Sequence, residues 1–139
     1  MSKRTFITFG LLILVLAVVI PWLAFRSKGE GESGGAQVAA NLQSGQELFE
    51  INCGNCHTLY AAGSDGNYGP NLDELLAPAG PPSGPTADAT IKATEGRVLG
   101  AVEEGVDTST EAGRMPGGIL NEEQSREVAE FVAATAGEG

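Results

Sequence analysis

Histidine occurs once in the 139 residues, tryptophan once, and cysteine and methionine twice each. These scarcities exclude a good deal. Two cysteines cannot build a disulfide framework. Two cysteines and one histidine offer three ligands where structural zinc wants four. No catalytic triad and no phosphate-binding loop is visible, and the acids are scattered at helix-surface spacing instead of paired in an apolar setting. Positive charge is also in short supply, with 8 Lys and Arg against 18 Asp and Glu. The first 28 residues hold Lys3, Arg4, Arg26 and Lys28 and no acid. Residues 29–139 hold four basic residues against all 18 acids, for a net charge of −14. A surface this acidic excludes nucleic acid as a partner. It would be steered instead toward a basic docking surface.

The chain does have one long apolar run. Phe6 to Phe25 is 20 residues without a charge. At 1.5 Å per residue such a helix spans roughly 30 Å, the hydrocarbon thickness of a bilayer. Trp22 and Phe25 sit near one end, where interfacial aromatics are common. A cleaved signal peptide is the competing reading. The run is longer than the usual apolar region of about 7–15 residues, and no A-x-A-like site closes it. Residues 1–26 are therefore expected to be an uncleaved transmembrane anchor, with residues 6–25 in the lipid. The basic residues flank both ends and leave the orientation open. A Gly/Ser/Glu-rich linker over residues 27–43 follows, with an r.m.s. reach on the order of 25 Å. It keeps the folded domain, residues 44–139, near the membrane at an effective concentration on the order of millimolar.

Both cysteines and the only histidine fall together in C-G-N-C-H, Cys53 to His57. This spacing is the covalent haem attachment pattern. Each thiol adds across one vinyl group to form a thioether, and the adjacent histidine becomes the proximal iron ligand. One helical turn suffices to present the two sulfurs. A thioredoxin-like couple would need a strand before the motif, and no strand is evident. A simple disulfide remains as the other alternative.

Local signals mark helices around this motif. Ser44 and Glu47 have capping-box spacing for a helix over Gly45–Cys53, with Leu48, Phe49 and Ile51 as apolar positions. Asp73–Leu76 starts a short helix. Ala77–Pro85 carries four of the seven prolines and must be a surface loop. Thr94 is expected to cap a helix reaching Glu104, with Val98, Leu99 and Val102 on one face and Gly105 as its stop. Asn121 caps the last helix, Glu122–Thr135, and Gln124 completes its box. Val128, Phe131 and Val132 form its apolar stripe, and Gly137–Gly139 should fray.

The run G-x-x-L-F-x-x-N-C-x-x-C-H, Gly45 to His57, resembles the start of a class I, mono-haem c-type cytochrome. The resemblance covers about residues 44–135. It implies an all-α cytochrome c fold of three to five helices around one covalent haem c, here with the transmembrane helix added. It implies that Gly45 and Phe49 pack against the last helix at Phe131. It implies further that Pro70, in G-P-N-L, offers its carbonyl to the ring N–H of His57, and that Leu72 faces the haem. Met115, in G-R-M-P-G-G, matches the distal ligand. Counting agrees, because Met1 lies at the far end of the anchor. An open sixth position, or capture by Lys92, Tyr60 or Tyr68, stays in play. Arg97 or Arg114 could face a haem propionate. The cofactor-binding set is thus Cys53, Cys56, His57, Pro70, Leu72 and Met115, with His57 and Met115 on the metal.

The function implied is single-electron transfer, without catalysis, between a quinol-oxidising complex and a terminal oxidase or similar acceptor, as a mobile shuttle or as a subunit of such a complex. The resemblance places the haem domain outside the cytoplasm, on a bacterial cytoplasmic membrane. A haem peroxidase or reductase, or a gas or redox sensor with a displaceable Met115, is the alternative.

Overall fold

The computed structural model describes residue 8 and residues 12–20, 38–107 and 114–139. The chain divides into two units, Met1–Glu32 and Ser33–Gly139. In the first, residues 12–20 are helical and expose Leu12, Ile13, Leu14 and Ile20. Among the described residues no helix is long and apolar enough to cross a membrane. The rest of the expected span over residues 6–25, and the linker as far as residue 37, lie outside the described residues.

The second unit opens on a 3-10 turn, Ala40–Leu42, which runs straight into helix α1, Gln43–Asn52. The expected capping box does not form. Because the turn precedes it, the helix begins at Gln43, and Ser44 sits inside the first turn, where its hydroxyl donates to the Glu127 carboxylate at 2.8 Å. Gly45 and Phe49 are the buried residues of α1, whereas Ile51 is exposed.

Helix α2, Leu72–Leu76, is capped by the Asn71 carboxamide, which accepts from the N–H groups of Asp73 and Glu74. A helix follows the proline-rich loop directly, after the Thr86 cap. Helix α3 covers Ala87–Glu104, seven residues longer at its start than the expected Thr94 cap. The added turns, A-D-A-T-I-K-A, consist largely of strong helix formers, so no apolar stripe is needed to make them helical. Thr94 is consequently buried mid-helix. Helix α4 is Glu122–Thr135, with the Asn121–Gln124 capping box in place and an ion pair from Arg126 back to Glu122.

Two antiparallel ladders of two residues each interrupt the all-helical pattern. Strand β1, Thr58–Leu59, pairs with β2, Ser64–Asp65, around a turn that Gly63 closes in the left-handed region. Strand β3, Val106–Asp107, pairs with β4, Arg114–Met115. Both are too short to show as alternating hydrophobicity.

The core lies where α4 crosses α1. Phe49, Leu59, Val128, Phe131 and Val132 are essentially inaccessible to solvent. A Cβ on Gly45 would overlap the Glu127 backbone oxygen, so glycine permits the close approach of the two helices. Phe49 and Phe131 meet edge to face at 6.1 Å and 61°. Burying each ring contributes about 1.5–3 kcal/mol, and the pair geometry about 0.5–1.5 kcal/mol more. The C-terminus is tied at Gly137, expected to fray: its N–H donates to Asp73 at 2.8 Å, and it packs against Ala77 and Gly80.

Candidate functional site

Helix α1 ends at Asn52, and its last turn continues into C-G-N-C-H. The N–H groups of Cys53 and Gly54 both donate to the Phe49 carbonyl. Cys56 and His57 then donate to the Cys53 carbonyl, each at 3.0 Å. The motif is therefore one hydrogen-bonded turn built on the end of a core helix. The two sulfurs lie in different settings. Cys53 is 7% exposed and Cys56 lies open to solvent. Burial, reinforced by the neighbouring Cys56, pushes the Cys53 thiol up to about 11.

The following loop folds back against this turn. Gly66 fits so closely that an added Cβ would lie 2.5 Å from the Gly54 carbonyl oxygen and 2.7 Å from the Cys56 carbonyl carbon. Thr58 anchors the loop by donating its hydroxyl to the Gly66 carbonyl at 2.9 Å. Gly69 lies flat on the His57 ring, where a Cβ would come 2.5 Å from Cε1. Its own N–H donates to the Cys56 carbonyl at 2.7 Å.

His57 is 8% exposed, and its Nδ1 lies 3.0 Å from the Pro70 carbonyl oxygen. A carbonyl can only accept, so Nδ1 carries a proton, and in the neutral ring Nε2 keeps the lone pair. That is the tautomer a metal-binding imidazole needs. Pro70 is in turn followed by the Asn71 cap and by Asp73, a buried carboxylate that accepts from the Tyr60 N–H at 2.9 Å. Leu72, on α2, is half-buried against the apolar core.

Met115 is placed by a separate set of contacts. It pairs with Val106 across the short ladder. The next residues dock on the end of α3: Gly118 donates to the Val102 carbonyl at 3.0 Å, and Gly105 and Gly117 meet so closely that neither has room for a side chain. Residues 108–113, which lead into Met115, lie outside the described residues. Of the other candidate ligands, Lys92 on α3, Tyr60 and Tyr68 are all exposed. Arg97 is exposed, and Arg114 lies 3.9 Å from Asp107.

Sequence reasoning missed Gly66, Gly69 and Asp73. The glycines carry no local signal beyond lying beside the motif residues they touch. Asp73 follows a good helix cap, which hides its second role.

The donor set fits a covalently held haem. Two thiols stand one turn apart, a buried imidazole is bonded at Nδ1 with Nε2 free, and the Gly69 backbone packs against the ring. Cys53 and Cys56 would hold the haem, with His57 beneath the iron and Met115 the thioether available in this unit. No curated protein matches the chain. Among solved structures, the c-type cytochrome SorU from Sinorhizobium meliloti is 33% identical, over 70% of this chain and 92% of that one, with a TM-score of 0.50. The Cytochrome c family model matches residues 42–136. The chain thus belongs to the cytochrome c family, which implies one covalent haem c, and Cys53 and Cys56 have the spacing to carry it.

Proposed function

We propose that this chain is a membrane-tethered mono-haem electron carrier. It passes single electrons from a quinol-oxidising complex to a terminal oxidase or comparable acceptor, with its haem domain on the extracytoplasmic side of a bacterial cytoplasmic membrane. Family membership supports the carrier role. The observation that carries the reading further is the His57–Pro70 bond, which commits Nδ1 and leaves Nε2 as the imidazole donor.

Haem, when bound, supplies a one-electron couple between ferric and ferrous iron. The side chains around it do the rest. His57, held at Nδ1 by Pro70, would keep a fixed ring orientation as the imidazole ligand. Met115 would offer a soft thioether, which favours the ferrous state, and a thioether bound there would leave no site for a substrate. The tether is supported by the 20-residue uncharged run, which is helical over residues 12–20. The acidic surface supports recruitment by a basic face on the partner.

Carbon monoxide tests the carrier reading against the enzymatic and sensory ones. The reduced native protein should show no spectral change when mixed with the gas. Ready binding would mean a displaceable sixth ligand, and a peroxidase, reductase or sensor would replace the carrier.

A further inference from the structure

Asp73 is a buried carboxylate three residues beyond Pro70, and it accepts from two backbone N–H groups. It is 7% exposed. Oδ2 accepts from the Tyr60 N–H at 2.9 Å, and Oδ1 accepts from the Gly137 N–H at 2.8 Å. Tyr60 lies three residues after His57, and Asp73 lies three residues after Pro70. One carboxylate therefore ties the strand leaving the histidine to the segment carrying the carbonyl that grips it. Gly137 is the third point of the clamp. It stands at φ +93°, and a Cβ there would lie 2.7 Å from Gly80 and 2.8 Å from Ala77. The helix α4 terminus is thus pressed into the same joint.

We propose that Asp73 is a positioning residue for His57: by clamping Tyr60 and Gly137 it holds the Pro70 carbonyl at hydrogen-bonding distance from Nδ1. This rests on the reading of His57 as the proximal ligand. The Nδ1–H bond raises imidazole basicity, which favours ferric iron. Loosening the clamp lengthens that bond and moves the reduction potential upward. Removing a buried negative charge would also raise the potential, so charge and position must be separated.

Two variants of the haem-loaded full chain do so. Asp73→Asn keeps the shape but presents an NH2 group to one of the two N–H donors. Asp73→Glu keeps the charge and moves the carboxylate by one methylene. The readouts are the midpoint potential and the solvent exchange of the His57 Nδ1 proton, followed by NMR in the ferrous protein. Both variants should raise the potential and accelerate exchange. A rise in Asp73→Asn alone, with Asp73→Glu matching wild type in potential and exchange, would reduce the role to charge and overturn the proposal. So would wild-type exchange in both. Truncation after Ala136 removes the Gly137 donor and leaves Asp73 intact. It should shift both readouts in the same direction by less, and no shift there would also count against the clamp. A wild-type protein without a protected Nδ1 proton would instead overturn the assignment of His57 itself.

Discussion

Cys53 and Cys56 are chemically alike and three residues apart, yet the fold treats them differently. The end of α1 buries the first and leaves the second in solvent. Before haem attachment the Cys53 thiol is pushed up to about 11 by burial first and by Cys56 second. Thiolate is the reactive form. Iodoacetamide at pH 8.5 should therefore alkylate Cys56 before Cys53, as read by peptide mass mapping, and equal rates would contradict the burial. The same shift has a stability consequence. Between pH 9 and 11 the folded thiol chain keeps a proton that the unfolded chain has lost. Stability then falls as pH rises through that window. Conversion of the thiol to a thioether removes this slope.

At the scale of the element, the α1–α4 crossing depends on Gly45. A methyl group there meets the Glu127 backbone and the Phe131 side chain, neither of which can yield without parting the helices. Gly45→Ala should cost about 1–3 kcal/mol by overpacking. Gly96→Ala on α3, where the added methyl meets nothing, should be neutral or stabilising by up to about 1 kcal/mol. Urea midpoints of the two variants check the contrast. A Gly45→Ala protein as stable as wild type would mean that the crossing is looser than described. The legibility of each helix follows from where its signal lies. Helix α4 could be read to the residue, because its cap, its box and its apolar stripe are all local. The start of α1 could not, because a preceding turn moved the boundary and Ser44 found a partner 83 residues away. The start of helix α3 is hidden because its first turns are mostly exposed and carry propensity without an apolar periodicity. The two ladders are set by turns and have no pattern of their own.

At the scale of the whole molecule, the motif residues and their order were legible, and the joints between them were not. C-G-N-C-H, G-P-N-L and the Met-Pro pair are visible in any reading of the chain. That Asp73 meets Gly137, 64 residues on, is a property of the closed fold. Charge is the other molecular property. The chain from Ser27 onward is strongly acidic, so its electron transfer to an acceptor with a basic face should slow as ionic strength rises. Stopped-flow rates of that soluble fragment across a salt series would measure this, and a flat response would exclude electrostatic docking. The reduction potential, in contrast, depends on how the iron is ligated.

That ligation is tested most directly by the optical spectrum of the purified oxidised protein, wild type beside Met115→Ala. A weak far-red band marks a methionine sulfur on ferric haem. Its presence in wild type and loss in the variant is the result expected of a His57/Met115 electron carrier. A wild-type protein without the band would contradict the account, and would leave the sixth position open or held by another group.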